Sequence, residues 1–118
     1  MADERKVKRK KLMAFTPVHD REKNILLGYL GDLTMKGALV IGEKPLEKDT
    51  LTTLAFDFPE TPEFPGRRVF FPVRIAWSKR EPEAEYYDSG VEFQELSDEN
   101  ADILKSILER YQYRHVMD

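Results

Sequence analysis

Thr50-Leu-Thr-Thr-Leu-Ala-Phe-Asp-Phe58 alternates with a period of two. Successive side chains of a strand point to opposite faces, so Thr52, Leu54, Phe56 and Phe58 share one face and Leu51, Thr53, Ala55 and Asp57 the other. The first set is the more apolar, which predicts a half-buried strand with that face on a core. On the C-terminal side, Pro59 to Gly66 holds Pro59, Pro62, Pro65 and Gly66, which cannot continue a ladder and reads as a loop. Val69 to Trp77 and Tyr86 to Phe93 read as two more strands, joined by a charged linker from Ser78 to Glu85. The period then changes. Ser97 is a candidate N-cap, Asp98 and Glu99 complement the helix dipole, and Ala101, Leu104, Ile107, Leu108 and Tyr111 recur at spacings of three and four. On the N-terminal side, Ala38 to Ile41, Ile25 to Leu30 and Leu12 to Val18 read as three further strands separated by turn residues. The expected fold is mainly β: a small six-stranded antiparallel β-barrel over residues 12–96, closed by a C-terminal helix over 97–114.

The 118 residues suit one ordinary domain. Hydrophobic residues at 41% and charged residues at 35% describe a folded protein with a heavily charged surface. There is no cysteine, which excludes disulfides and thiolate chemistry. No apolar run approaches the roughly 20 residues of a membrane span, and no signal peptide is recognisable, so a cytoplasmic location is expected, with no membrane partner. The charge is uneven. Residues 5–11, Arg-Lys-Val-Lys-Arg-Lys-Lys, carry six positive charges and no negative ones; against a net charge of −3 overall, the rest of the chain stands at −9. A basic arm (residues 1–11) on an acidic body disfavours broad nucleic-acid coating and favours a compact anionic target.

Catalytic chemistry has little to stand on. His19 and His115 are the two histidines, with no metal-ligand spacing, no nucleophile elbow and no glycine-rich phosphate loop, so neither enzyme activity nor a metal or cofactor is expected. Both histidines read as surface residues, His19 beside Asp20 in a turn.

Two features carry binding chemistry. Arg5 and Arg9 stand four apart in the basic arm; a guanidinium grips phosphate in a bidentate way and also matches the O6/N7 edge of guanine. Read alone, two arginines in a lysine-rich arm are a solvated run rather than a site. The second feature is Gly31-Asp-Leu-Thr-Met-Lys-Gly-Ala38, between two expected strands. Any turn there favours Gly and Asp. Beyond that, Asp32 and Thr34 are two apart and face one side of an extended segment, where the carboxylate suits guanine N–H donors or an arginine and the hydroxyl suits phosphate. Gly37 would let a ligand approach the backbone.

Arg5-Lys-Val-Lys-Arg9 ahead of the first strand, and Asp32-Leu-Thr34-Met-Lys-Gly37 between the second and third, together resemble the PilZ family of bacterial cyclic di-GMP receptors. That family shows Arg-x-x-x-Arg followed by Asp/Asn-x-Ser-x-x-Gly in this order and context. Val73-Arg-Ile-Ala-Trp77 and Gly90-Val-Glu-Phe93 are similar to its late strands, with the helix after them. The resemblance implies a PilZ-like barrel that binds cyclic di-GMP through Arg5, Arg9, Asp32, Thr34 and Gly37, orders its arm onto the barrel, and signals to a downstream protein partner. Thr34 replaces the usual serine, which is expected to weaken binding without abolishing it. One rival is a PilZ-like protein-interaction module that binds no nucleotide and uses Tyr86, Tyr87, Tyr111 and Tyr113. Another is a nucleic-acid-binding barrel with Phe70, Phe71 and Trp77 as stacking platforms, although those aromatics are expected to fill the core.

Overall fold

A computed structural model describes residues 16–60 and 66–117, with 110–117 by backbone alone. Among the described residues six strands and one helix follow in the expected order: β1 Pro17–Asp20, β2 Ile25–Leu33, β3 Gly37–Gly42, β4 Leu51–Phe58, β5 Arg67–Arg80, β6 Tyr87–Phe93 and α1 Asp98–Met117. All pairings are antiparallel, and the sheet closes in the order β1-β2-β3-β6-β5-β4, with β4 returning to β1 through Val18 opposite Phe56. Closure leaves no sheet edge to protect.

The alternation of β4 has the expected sense. Leu54, Phe56 and Phe58 are buried, and they meet Val69, Phe71 and Val73 from β5 and Leu30 and Val40 from β2 and β3. The ring centroids of Phe56, Phe71 and Phe93 lie 4.8–6.3 Å apart in tilted and edge-on arrangements, the preferred geometry of aromatic pairs. The first hairpin turns on Asp20, whose Oδ1 accepts from the amides of Glu22 (2.9 Å) and Lys23 (3.1 Å), with Asn24 in the left-handed region. Helix α1 begins as its sequence implies: Ser97 Oγ accepts from the Asn100 amide at 3.1 Å. Its stripe of Leu104, Ile107 and Leu108 is buried and joins Leu33 and Phe93 in the core. Among the described residues no helix is long and apolar enough to cross a membrane.

Several boundaries differ from the expected ones. Strand β1 is described only from Pro17, because residues 12–15 lie outside the described set. Strand β5 runs through Arg80, so three residues assigned to the charged linker belong to the ladder, with Ser78, Lys79 and Arg80 opposite Ser89, Asp88 and Tyr87. His19 falls within β1 rather than in the turn, half-buried, with Nδ1 3.3 Å from Asp57 Oδ2.

The larger departure concerns which way side chains face. Val69, Phe71, Val73 and Ile75 are buried at alternate positions, and Trp77 would be the next inward residue. Instead a bulge between Ile75 and Trp77 inserts Ala76 and reverses the parity, so Trp77 is 45% exposed on the outer face. Phe70 also faces outward, under the guanidinium of Arg21 at 4.4 Å from its ring centre. Of the three aromatics expected in the core, only Phe71 is there.

Candidate functional site

A second bulge matches the first. Strand β2 pairs Leu30 with Val40 but Asp32 with Leu39, so Gly31 is the extra residue. Under unbroken alternation Asp32, two residues after Leu30, would follow it into the barrel. With the extra residue Asp32 turns outward and Leu33 inward, where Leu33 is buried. The ladder then aligns Asp32, Leu39, Gly90 and Trp77 in one row across β2, β3, β6 and β5. Three inter-strand steps separate the ends of this row, about 14 Å.

Gly90 is what allows the indole to lie in that row. A Cβ there would stand 2.3 Å from Trp77 Nε1, so a side chain at this position is incompatible with the indole as placed. The result is a groove of ≈ 330 Å³ on the outer face, with Asp32 at one side and Trp77 at the other, and with Thr34, Lys36 and Glu92 also in its lining. Its size is within the range of small-molecule sites.

The turn that bounds the groove is tightly closed. The Thr34 amide donates to the Gly37 carbonyl (2.9 Å), and Thr34 Oγ1 accepts from the amides of Lys36 (3.1 Å) and Gly37 (3.2 Å). The same hydroxyl donates to the Gly37 carbonyl at 3.3 Å. Thr34 thus acts here as the clasp of the turn, a task serine and threonine hydroxyls share. Asp32 Oδ1 accepts from the Leu33 amide at 2.9 Å, which fixes the carboxylate beside the turn and leaves acceptor capacity on Oδ2. The Phe93 amide donates to the Lys36 carbonyl (2.9 Å), tying the turn to the end of β6 just ahead of helix α1.

Gly37 has a structural reason besides the one its sequence context suggests. A Cβ on it would stand 2.1 Å from the Val91 carbonyl oxygen, so the missing side chain makes room for β6. Gly37→Ala must push β3 off β6 and is expected to cost about 1–3 kcal/mol of stability in ligand-free protein, measured as a lower urea midpoint.

Of the expected site residues, Asp32, Thr34 and Gly37 come together in the groove. Arg5 and Arg9 lie outside the described residues. Gly90 and Glu92 were not singled out as site residues from sequence, and Trp77 was named only as a stacking platform of the nucleic-acid-binding alternative, with the core as its expected place. The lining side chains Asp32 and Glu92 are anionic and Lys36 cationic, so the groove by itself is net negative. Tyr86 and Tyr87, the described members of the proposed contact surface, are half-buried rather than exposed. Elsewhere on the barrel Asp57 grips Arg68 with both oxygens (2.6 and 3.0 Å), and this hydrogen bonding, then the carboxylate charge, raises the guanidinium pKa further.

Comparison with known proteins agrees with this architecture. The model of the PilZ domain matches residues 3–110, a span that includes the basic arm, the turn and the groove. Among solved structures, the inhibitor of motility of Bacillus subtilis (MotI/DgrA) superposes with a TM-score of 0.71 at 18% identity, over 84% of this chain and 47% of that one. At that identity the likeness is one of fold, and the chain spans about half the length of that protein. No curated protein matches the chain significantly.

Proposed function

The chain belongs to the PilZ domain family, and from that premise we propose that it is a receptor for cyclic di-GMP which grips the ligand between its N-terminal arm and the groove beside the β2–β3 turn. The observation that carries this reading is the pair of bulges at Gly31 and Ala76, which aim Asp32 and Trp77 into one row on the outer face. A barrel built for stability alone has no use for a half-exposed indole laid over a glycine. A guanine does, because its flat face stacks on such a platform.

The charges support the same division of labour. A ligand with two phosphates gains little from a groove whose own side chains are net negative. The cations must come from elsewhere, and residues 5–11 carry six. The arm is close enough. The Thr16 carbonyl accepts from the Leu30 amide at 2.9 Å, so the chain enters the barrel two residues short of Asp32. Arg9 lies seven residues ahead of Thr16, a span of up to about 25 Å. In this reading Arg5 and Arg9 hold phosphate oxygens and the O6/N7 edge of guanine, Asp32 fixes an arginine or a base donor, and the arm orders over the groove as they engage. PilZ domains are binding modules, and the output is the new surface so formed, presented to a protein partner.

Trp77 provides the test, since it is the single tryptophan of the chain. Cyclic di-GMP is expected to change its fluorescence saturably, with a heat of binding at the same midpoint in titration calorimetry, while GTP and cyclic di-AMP at equal concentration do neither. No fluorescence change and no heat with cyclic di-GMP would reject the receptor reading and favour a protein-interaction module without nucleotide.

A further inference from the structure

Resting on the receptor reading above, we infer that Glu92 is the residue that reads the base: its carboxylate accepts from N1–H and N2–H2 of a guanine stacked on Trp77. Two carboxylates line the groove, and the geometry separates their roles. Asp32 is three strands away from Trp77 in its row, and its Oδ1 is already engaged by the Leu33 amide at 2.9 Å. Glu92 stands on β6, directly beside β5, on the same face as Gly90 and two residues along from it. That places its Cα about 7 Å from the glycine the indole covers, within reach of the edge of a purine lying on that indole.

Glu92 is also held ready for this. It faces Arg74 across the β5–β6 ladder, and Arg74 Nη2 stands 3.6 Å from Glu92 Oε2. Arg74 is itself anchored by Asp49, with Nη1 2.7 Å from Oδ1. A guanidinium fixed at one end by Asp49 orients the Glu92 carboxylate and, at 3.6 Å, leaves both of its oxygens able to accept from a ligand. Glu92 remains 54% exposed, so its position is set by this pairing and not by burial in the fold. An ionised carboxylate is acceptor-only, which suits the two adjacent donors of guanine and is mismatched to adenine, whose N1 is an acceptor. Arg74 is thus a positioning residue and Glu92 the specificity-determining one.

The test compares cyclic di-GMP with cyclic di-IMP, whose hypoxanthine bases keep N1–H and O6 but lack the N2 amino group. Both are titrated calorimetrically into the full chain and its Glu92→Gln variant. The wild type is expected to prefer cyclic di-GMP by about tenfold or more, the discrimination of one good bidentate pair. Glu92→Gln is expected to weaken cyclic di-GMP by about ten- to a hundredfold and to bring the two ligands within about threefold of each other. An unchanged preference in the variant overturns the role of Glu92 alone. So does tighter binding of both ligands, which would make Glu92 a repulsive charge at the rim. Failure of the wild type to bind cyclic di-GMP removes the receptor reading together with this one.

Discussion

Phe71→Ala is expected to lower the unfolding free energy by about 3–5 kcal/mol, read as a fall in the urea midpoint at unchanged slope. Phe71 is fully buried, its ring centroid 5.1 Å from that of Phe56 and 4.8 Å from that of Phe93. Truncation removes the transfer energy of the ring, empties a space at the centre of the aromatic cluster, and breaks two ring contacts. A closed barrel collapses into such a void poorly, because the hydrogen-bonded ladders on every side hold the strands apart. The total stability of a domain of this size is about 5–15 kcal/mol, so the loss is a large share of it. Phe70→Ala is the control: that ring is 36% exposed and carries Arg21 on its face, and its loss is expected to cost under about 1.5 kcal/mol. Equal losses at the two positions would mean that the inward face of β5 has been wrongly assigned.

That comparison shows how far the fold was legible. Val69, Phe70 and Phe71 are adjacent and all apolar, so composition cannot rank them. Period two can, once one strand has an unambiguous inner face, and Leu54, Phe56 and Phe58 supply it. Helix α1 was equally readable, because Ser97 caps it and Leu104, Ile107 and Leu108 bury the expected stripe. Parity fails at a bulge. Propagating the alternation from Ile75 puts Trp77 inside, and Ala76 carries no local sign that the ladder gains a residue there. Gly31 is of the type that marks a bulge inside a strand, but it stands just past Leu30, where the strand was expected to end, and β2 runs on to Leu33. The Ala76 bulge is defined only by the pairing of β5 with β6, whereas the Gly31 bulge lies within the β2–β3 hairpin.

The same reasoning explains the uneven legibility of the site. Asp32, Thr34 and Gly37 were found because a turn motif is local: the hydroxyl of Thr34 and the backbone it clasps lie within four residues. Their individual roles were less visible. The space at Gly37 is taken by the Val91 carbonyl, which is fifty-four positions away in the chain and invisible to any local reading. Trp77, Gly90 and Glu92 reach the groove only through the β6 pairings with β3 and β5. A site assembled across four strands is half written in the one turn that joins β2 to β3.

Arg9→Ala is expected to weaken cyclic di-GMP by about 2–4 kcal/mol, roughly thirty-fold to a thousandfold, in calorimetric titration. The size follows from what the groove lacks. Its charged lining consists of Asp32, Glu92 and Lys36, so it offers the two ligand phosphates one cation and two anions. The receptor reading assigns the missing positive charge to the arm, and assigns it to arginine because a planar fork bonds phosphate or the guanine O6/N7 edge through two donors at once. Lys10→Ala removes the same unit of charge one residue away. A lysine acting as a diffuse charge is screened over about 8 Å at physiological salt, and its loss is expected to cost about fivefold or less, in line with exposed ion pairs. The two variants should also differ in salt response. On the receptor reading, wild-type affinity is expected to fall with salt through the phosphate contacts, and Arg9→Ala to flatten that slope by removing one of them while stacking on Trp77 is retained. Equal losses in Arg9→Ala and Lys10→Ala would reduce the arm to a cloud of charge. Recognition would then have to come from the groove alone, whose net negative lining suits a dianionic ligand poorly, so a specific arginine contact and cyclic di-GMP as the ligand stand or fall nearly together.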